Sequence, residues 1–403
     1  MSSTPGQERH IAVVGGGASG LVAALALATG GNDVTLIAPD RPADARTTAL
    51  MDGSVNALKA LGVWDRLAPH AAPLRIMRVL DGTTRLLRAP QVDFRAGELG
   101  LEAFAWNVEN EALLAALEHT IDDAPGIHRR RTSVAAVAEM DGHVRLSLDD
   151  GGTFDAALVA AADGRHSPCR KAAGIDVRTR DYPQVAVTAT LAHDRPHHDI
   201  STEFHTETGP FTLVPLPGQR SSVVCVVSPR EAEQLLALDE TAFSRVMERK
   251  ARSILGAMRL DSPRGSFPLS ARTATRFAKG RIALIGEAGH IIPPIGAQGL
   301  NLGIRDAATL AELVSQARRK GEDIGSNAVS EAYERRRRAD VESRTFAVDL
   351  LNRSLLSGFL PMAGVRGFGL WLLDKTPMLR RAVMREGVGP TRDVPALLTG
   401  RVA

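Results

Sequence analysis

A glycine triplet, Gly15, Gly17 and Gly20, stands between an apolar run at His10–Val14 and a helix-like segment at Leu21–Ala28, with a second apolar run at Val34–Ala38. Apolar runs of this length without alternation read as strands buried on both faces, and such strands are parallel. Parallel neighbours need a crossover, and Leu21–Ala28 supplies it. The G-x-G-x-x-G spacing closes the strand-to-helix turn and lets the backbone come close to a pyrophosphate. Ala18 and Ser19 lie at the start of the helix, where unpaired amides and the positive dipole end favour an anion. The plainer reading is a turn kept for helix–strand packing, but the strand–turn–helix–strand setting favours a nucleotide. Such a pattern wants an acid at the end of the second strand for the ribose hydroxyls. Ala38 stands there, and Asp40 is the nearest substitute.

A second constrained stretch is GEAGHIIPPIGAQGLNLGIRD, residues 286–306. It follows a strand-like run, Arg281–Ile285, and enters an amphipathic helix, Leu300–Arg318. Pro293 and Pro294 stiffen the loop and remove backbone donors. Gly296 and Gly299 permit a tight turn and a close approach to something flat or charged. Asn301 and Asp306 fall in the first turns of the helix, another place for an anion. An ordinary connection does not need two prolines and three close glycines, so a ligand is the favoured reading.

Elsewhere, Leu74–Arg95 reads as two or three strands with Asp81-Gly82 as a hairpin turn. Glu109–Glu118 has helical spacing, with Asn110 a plain cap at its start. Residues 126–154 read as a β-meander with turns at Asp141-Gly142 and Asp150-Gly151. Ala157–Ala161 is a buried strand leading into Ala162-Asp163-Gly164, after which Ser167 caps a helix bearing Cys169 and Arg170. The runs Val185–Ala192, Thr202–His205, Phe211–Pro215 and Ser221–Val227 alternate, as in an antiparallel sheet. Helical segments at Glu231–Leu238 and Thr241–Ile254 and a strand at Gly265–Leu269 follow. Ser326–Leu351 is a long helix whose four arginines, Arg335–Arg338, cannot share one face. They read as a solvated surface, with a membrane surface or acidic partner as the other reading. Residues 352–379 are apolar but broken by Gly and Pro, and read as amphipathic helices that pack on the body and leave an apolar patch exposed.

Composition narrows the class. The chain has 403 residues, 44% hydrophobic and 24% charged, enough for two joined lobes. A net charge of +3 and 4% aromatics argue against nucleic acid. Cys169 and Cys225 are isolated, which gives no metal pattern and fits a reducing compartment. His193, His197, His198 and His205 lie beside Asp194 and Asp199 and read as a solvated loop rather than metal ligands. No secretory signal or apolar run of about 20 residues is visible. A cytoplasmic location, with peripheral membrane contact through the C-terminal region as an addition, is the expectation.

In their order, Gly15–Gly20, Ala162–Ser167 and His290–Gly303 resemble the FAD-dependent aromatic hydroxylases, and within them the ubiquinone-biosynthesis hydroxylases. The resemblance implies an α/β fold: a Rossmann-like FAD-binding lobe with a parallel sheet, an antiparallel substrate lobe and C-terminal helices. The boundaries it implies are 1–73 with 98–181 and 270–350 for FAD, 74–97 with 182–269 for substrate, and 351–403 for the C-terminal region. It implies FAD contacts at Gly15, Gly17, Ala18, Ser19, Gly20, Asp40, Arg46, Asn110 and Asp163, and again at Gly286, Glu287, Pro293, Gly296, Gly299, Leu300 and Asn301. Arg46 reads equally as a surface arginine. Arg165 and Arg170 would meet pyrophosphate groups, and His290 reads best as bonding the loop backbone. The family has Asp where this chain has Glu287, one methylene longer.

The function so implied is hydroxylation of a polyprenylated phenol or quinone precursor with NAD(P)H and O₂. No triad, paired carboxylates or nucleophile elbow stands out, so the hard chemistry would belong to the cofactor. Two other readings stay open: a hydroxylase of a small soluble aromatic compound, and a non-catalytic member of a biosynthetic assembly.

Overall fold

The computed structural model describes residues 10–83, 90–356, 375–388 and 393–402. Its first sheet runs, by neighbour, through Ala278–Lys279, Ile282–Leu284, Leu158–Ala161, His10–Val14, Asp33–Ile37 and Ile127–Arg130. All neighbours are parallel except the short edge strand Ala278–Lys279. The period of two sorts the first strand's side chains. Ile11 and Val13 join a core with the helices, including Leu21, Leu27, Leu117 and Leu302. Ala12 and Val14 join a second core with Val144 and Leu146. Those two belong to an antiparallel meander, Val134–Glu139, Val144–Leu148 and Thr153–Ala156, that covers the other face.

The predicted meander therefore loses its first segment. Ile127–Arg130 pairs with Asp33–Ile37 in the parallel sheet instead. Helix Ala18–Thr29 begins three residues earlier than its apolar pattern, at Ala18.

A nine-stranded, mainly antiparallel sheet forms the second body of structure. Its central strands are Val177–His193, Arg220–Val227, Pro210–Leu216 and Ile200–His205. Its own core, with Phe204, Phe211, Leu213 and Val223, is closed by Pro229–Ala237 and Glu240–Lys250. Ile76–Asp81 and Val92–Arg95 extend its edge as an antiparallel pair. Asp81-Gly82 is not their turn. Gly82 N donates to His205 O at 2.9 Å, so the chain is still on the sheet there. His193 is buried, with Nδ1 on Arg195 O at 2.8 Å and Nε2 on Ser221 Oγ at 3.0 Å, so it is not in a solvated loop.

The helix Asn327–Leu356 lies against Gln298–Arg319. Its arginines are not a solvated patch. Arg337 is buried on Asp306 and Asp340, Arg336 pairs with Glu312 at 2.9 Å, and Arg338 pairs with Glu334 and Glu342. Only Arg335 of the four is exposed. Most of the predicted apolar 352–379 stretch lies outside the described residues. Beyond it, helix Pro377–Val388 docks through Met384, buried with Ala96 and Phe104, and through Arg380 on Glu98 at 2.9 Å. Met378, at 82% exposed, faces away. Among the described residues no helix is long and apolar enough to cross a membrane.

Candidate active site

Three glycine-bearing turns meet at the carboxyl ends of the parallel strands. Gly15 has φ +115°, and a Cβ there would lie 2.2 Å from Ala162 O, so the first and second motifs touch backbone to backbone. Ser19, at the start of the first helix, fills the space left by two glycines of the third motif. A Cβ on Gly286 would meet its Oγ at 2.9 Å, and one on Gly303 at 2.2 Å. Gly20 needs the same absence, because its Cβ would fall 2.0 Å from Gly15 O. Sequence positions almost 300 residues apart are thus packed into one cleft floor.

Gly17 is different. It is exposed, its φ of −75° suits any residue, and a Cβ would have no neighbour within 4 Å. It is the N-cap of Ala18–Thr29, with no capping side chain and no acid in the first turn. The helix start is therefore free of protein groups that would compete for an anion. Beside it lies a cavity of about 450 Å³ lined by Gly16, Ala38, Asp40, Arg41, Glu111 and Arg131, among others. Asp40 is on its rim, largely exposed and 3.4 Å from Arg131. Arg41 is already paired with Glu111 and Glu118, at 3.1 and 3.3 Å.

Arg46 and Asn110 are brought together by a residue the sequence did not single out. Asp44 accepts from Arg46 Nη2 at 2.7 Å and from Asn110 Nδ2 at 2.8 Å. Burial alone would raise the Asp44 carboxyl, but these bonds outweigh it and hold the group below its ordinary range. Asn110 is not a plain cap: its Oδ1 accepts from Thr48 Oγ1 at 2.6 Å, and the N-cap is Glu109. Arg46 also stacks over Phe267 of the antiparallel sheet, 5.5 Å from the ring centroid. Exposed as it is, it links the segment at Asp44 to the antiparallel sheet.

In the second motif, Asp163 Oδ2 accepts from Cys169 N at 3.0 Å, while its Oδ1 is buried with no partner. A buried carboxylate oxygen without a donor is costly. A hydroxyl of a ligand in this cleft would satisfy it. Arg170 does not face the cleft. Its guanidinium donates to Ala288 O at 2.8 Å and Arg165 O at 2.9 Å, strapping the second motif to the third. Arg165 instead meets Glu287 at 3.4 Å, both about half exposed.

The third motif is held from below. Gly286 N and His290 Nε2 both reach Asp306 Oδ2, at 2.8 and 2.7 Å. His290 therefore bonds a carboxylate, not the loop backbone. Burial pushes the Asp306 carboxyl up, but His290 and Arg337 prevail and keep it lowered. Pro293 is buried and Pro294 exposed. Gly296, at φ +71°, makes the tight turn, and Ala297 follows at φ +53°, where a Cβ is strained. Gly299 does not turn: it is the second residue of the helix Gln298–Arg319 and is exposed, as Leu300 partly is.

Asn301 ties the helix start to the strand Thr47–Met51. Its Oδ1 accepts from Met51 N and Ser54 Oγ, at 2.9 and 2.6 Å, and its Nδ2 donates to Ala49 O and Ala297 O, at 2.8 and 2.6 Å. Asn301→Ala strands four groups, one buried and three partly buried. It is expected to lower stability by about 2–4 kcal/mol, read as a lower urea midpoint with an unchanged slope. An unchanged midpoint would mean that these bonds contribute nothing.

The cleft offers an anion an uncapped helix start with a cavity beside it, and the second motif adds an unsatisfied carboxylate oxygen. Comparison with known proteins agrees. The family model described as FAD binding domain matches residues 8–345. A ubiquinone hydroxylase of Rhodospirillum rubrum is 34% identical, over 97% of this chain and 92% of its own. The 3-demethoxyubiquinol 3-hydroxylase of Escherichia coli is 32% identical, over 95% and 99%. In fold, p-nitrophenol 4-monooxygenase from Pseudomonas putida superposes with a TM-score of 0.77 at 21% identity, covering 95% of this chain and 98% of its own. Klebsiella pneumoniae HpxO complexed with FAD and uric acid gives 0.73 at 21%, covering 94% and 95%. The protein belongs to the FAD binding domain family, among its flavoprotein monooxygenases.

Proposed function

We propose that the chain hydroxylates the aromatic ring of a polyprenylated quinone precursor, with FAD as resident cofactor and NAD(P)H and O₂ as co-substrates. The observation that carries this reading is the 34% identity to a ubiquinone hydroxylase across nearly the whole chain. Bound FAD, reduced by the nicotinamide, supplies oxygen activation and delivery of one oxygen atom to an electron-rich ring.

The chain's own residues would bind, orient and exclude water. Gly15, Gly17, Ala18, Ser19 and Gly20 would cradle the pyrophosphate at the first helix start. Asp40 at the cavity rim would serve the ribose in place of the acid absent at Ala38. Arg46 and Asn110, turned from Asp44, would meet the phosphates. Asp163 Oδ1 would accept a hydroxyl hydrogen bond. Gly286 and Glu287 would lie along the ribityl chain. Pro293 and Gly296 would cover the reacting side of the ring. The helix start at Gly299, Leu300 and Asn301 would face the ring's electron-rich edge, where the positive dipole end suits negative charge. The antiparallel sheet would roof the substrate, and the C-terminal region would meet a membrane surface or a biosynthetic partner, which suits a lipid-like substrate reached from the cytoplasm.

Glu287 tests the placement of this loop. A hydrogen bond to a charged acceptor is worth about 1.5–3 kcal/mol, so Glu287→Ala should weaken FAD about tenfold or more. Glu287→Asp should hold it. Titration of apo-protein by flavin fluorescence decides: equal affinity in Glu287→Ala would point the side chain only at Arg165.

The substrate is tested by metabolite profiling of a deletion strain. A prenylated intermediate lacking one ring hydroxyl should accumulate and clear on complementation. Normal quinone levels with loss of growth on a soluble phenol would favour a small aromatic substrate instead.

A further inference from the structure

We propose that Asp340, on the helix Asn327–Leu356, is a positioning residue for the loop 286–298, gripping both of its ends through one chain of buried charges. This rests on the reading that the loop covers the flavin.

At the start of the loop, Gly286 N and His290 Nε2 are fixed on Asp306. Asp306 Oδ1 accepts from Arg337 Nε at 2.6 Å, and Arg337 Nη1 donates to Asp340 at 2.8 Å. At the end of the loop, Gln298 Nε2 donates to Gly296 O at 3.1 Å, and Gln298 Oε1 accepts from Arg344 Nη1 at 3.1 Å. Arg344 Nε returns to Asp340 at 3.2 Å, and Arg305 adds a third guanidinium at 3.0 Å. Both ends of the loop thus converge on one carboxylate through the side chains between them. Burial raises the Asp340 carboxyl, yet Arg337 and Arg305 hold it at about 2. Burial lowers Arg305 to about 10 despite Asp340.

The loop needs such a hold. Gly296 and Ala297 are both left-handed, and Ala297 bears a Cβ that disfavours this. A strained segment keeps its shape only when its surroundings over-determine it. Arg337, Asp340 and Arg344 recur at i, i+3 and i+7, on one face of one helix. A rigid element with its charges on one face can set the loop's height over the cofactor without entering the cleft.

The test is Asp340→Asn, which keeps the shape and removes the charge, measured on apo-protein and on protein loaded with FAD. In the apo-protein, amide hydrogen exchange of peptides covering 286–298 should rise about tenfold, while the strand Arg220–Val227 is unchanged. In the loaded protein, the visible circular dichroism of the flavin should change and its midpoint potential should move. More of the NAD(P)H consumed should end as hydrogen peroxide rather than product. Asp340→Glu should restore these in part. If Asp340→Asn does not fold, Arg344→Met removes the Asp340–Arg344–Gln298 arm and leaves the Asp340–Arg337–Asp306 arm, and exchange should then rise around 296–298 while 286–290 stay protected. Unchanged loop exchange and an unchanged flavin spectrum in a folded Asp340→Asn would overturn the proposal. Raised loop exchange in a protein that takes up no FAD would leave the tie standing and sink the flavin reading instead.

Discussion

Gly17→Val should give a folded protein that retains essentially no FAD, with affinity at least about 100-fold below wild type, a loss of about 2.8 kcal/mol or more. The backbone of Gly17 is extended, at φ −75° and ψ 167°, and the space around a Cβ is clear of protein. Valine meets no steric penalty from the protein and costs only an N-cap preference, about 1 kcal/mol. That clear space is where a pyrophosphate must sit to reach the helix-start amides, and a branched side chain there holds it off. Gly15→Val is the contrast, since its Cβ would strike Ala162 O and its φ of +115° excludes valine. That variant should fail to fold. Flavin absorbance after gel filtration, with circular dichroism for the fold, separates the two. Wild-type flavin content in Gly17→Val would show that this turn does not hold the cofactor.

Asp306→Ala should cost about 3–5 kcal/mol of stability, because it removes one of the two carboxylates that offset the buried Arg337 charge and leaves Asp340 alone to do so. Arg337 and Asp306 are 4% and 1% exposed in their side chains, so water cannot replace the lost partner. Gly286 N and His290 Nε2 lose their acceptor together. Asp306→Asn, which keeps an acceptor oxygen but no charge, should lose less. The pH dependence has a definite sign. The folded Asp306 carboxyl is held below its unfolded value. Its contribution is therefore complete above the unfolded pKa of about 3.9 and is lost as pH falls through the folded value. Urea midpoints of wild type should drop as pH falls below about 4, and the drop should be smaller in Asp306→Ala. Equal acid sensitivity in the two proteins would remove Asp306 from this role.

Much of this was legible because local patterns and tertiary structure agree. The apolar runs at residues 10–14 and 34–38 could be nothing but parallel strands beside a glycine turn. The alternating runs after Val185 read as antiparallel and pair so with one another, although Ile200–His205 also takes Ile76–Asp81 as a parallel neighbour. What escaped was whatever depends on a partner remote in sequence. Arg337 looked solvated because its partner Asp306 is 31 residues away and on another helix. The spacing of Arg337, Asp340 and Arg344 was the available signal, and it was masked by counting four arginines as a run. Asp44 was missed because nothing in its neighbourhood shows that Asn110 folds back to it. Ile127–Arg130 was placed in the meander because a short strand carries no mark of which sheet it will join. Ala297 at positive φ is not readable at all, since no residue pattern marks an alanine for a left-handed backbone.

We propose that this cleft uses O₂ to hydroxylate a prenylated ring. The most direct test is isotopic: purified protein with FAD, NAD(P)H and a reduced prenylated precursor lacking one ring hydroxyl, incubated under ¹⁸O₂, with the product analysed by mass spectrometry. One heavy oxygen per product molecule is expected, on the ring, with light oxygen when the label is in water. NAD(P)H oxidation that yields only hydrogen peroxide and an unlabelled, unhydroxylated ring would contradict it.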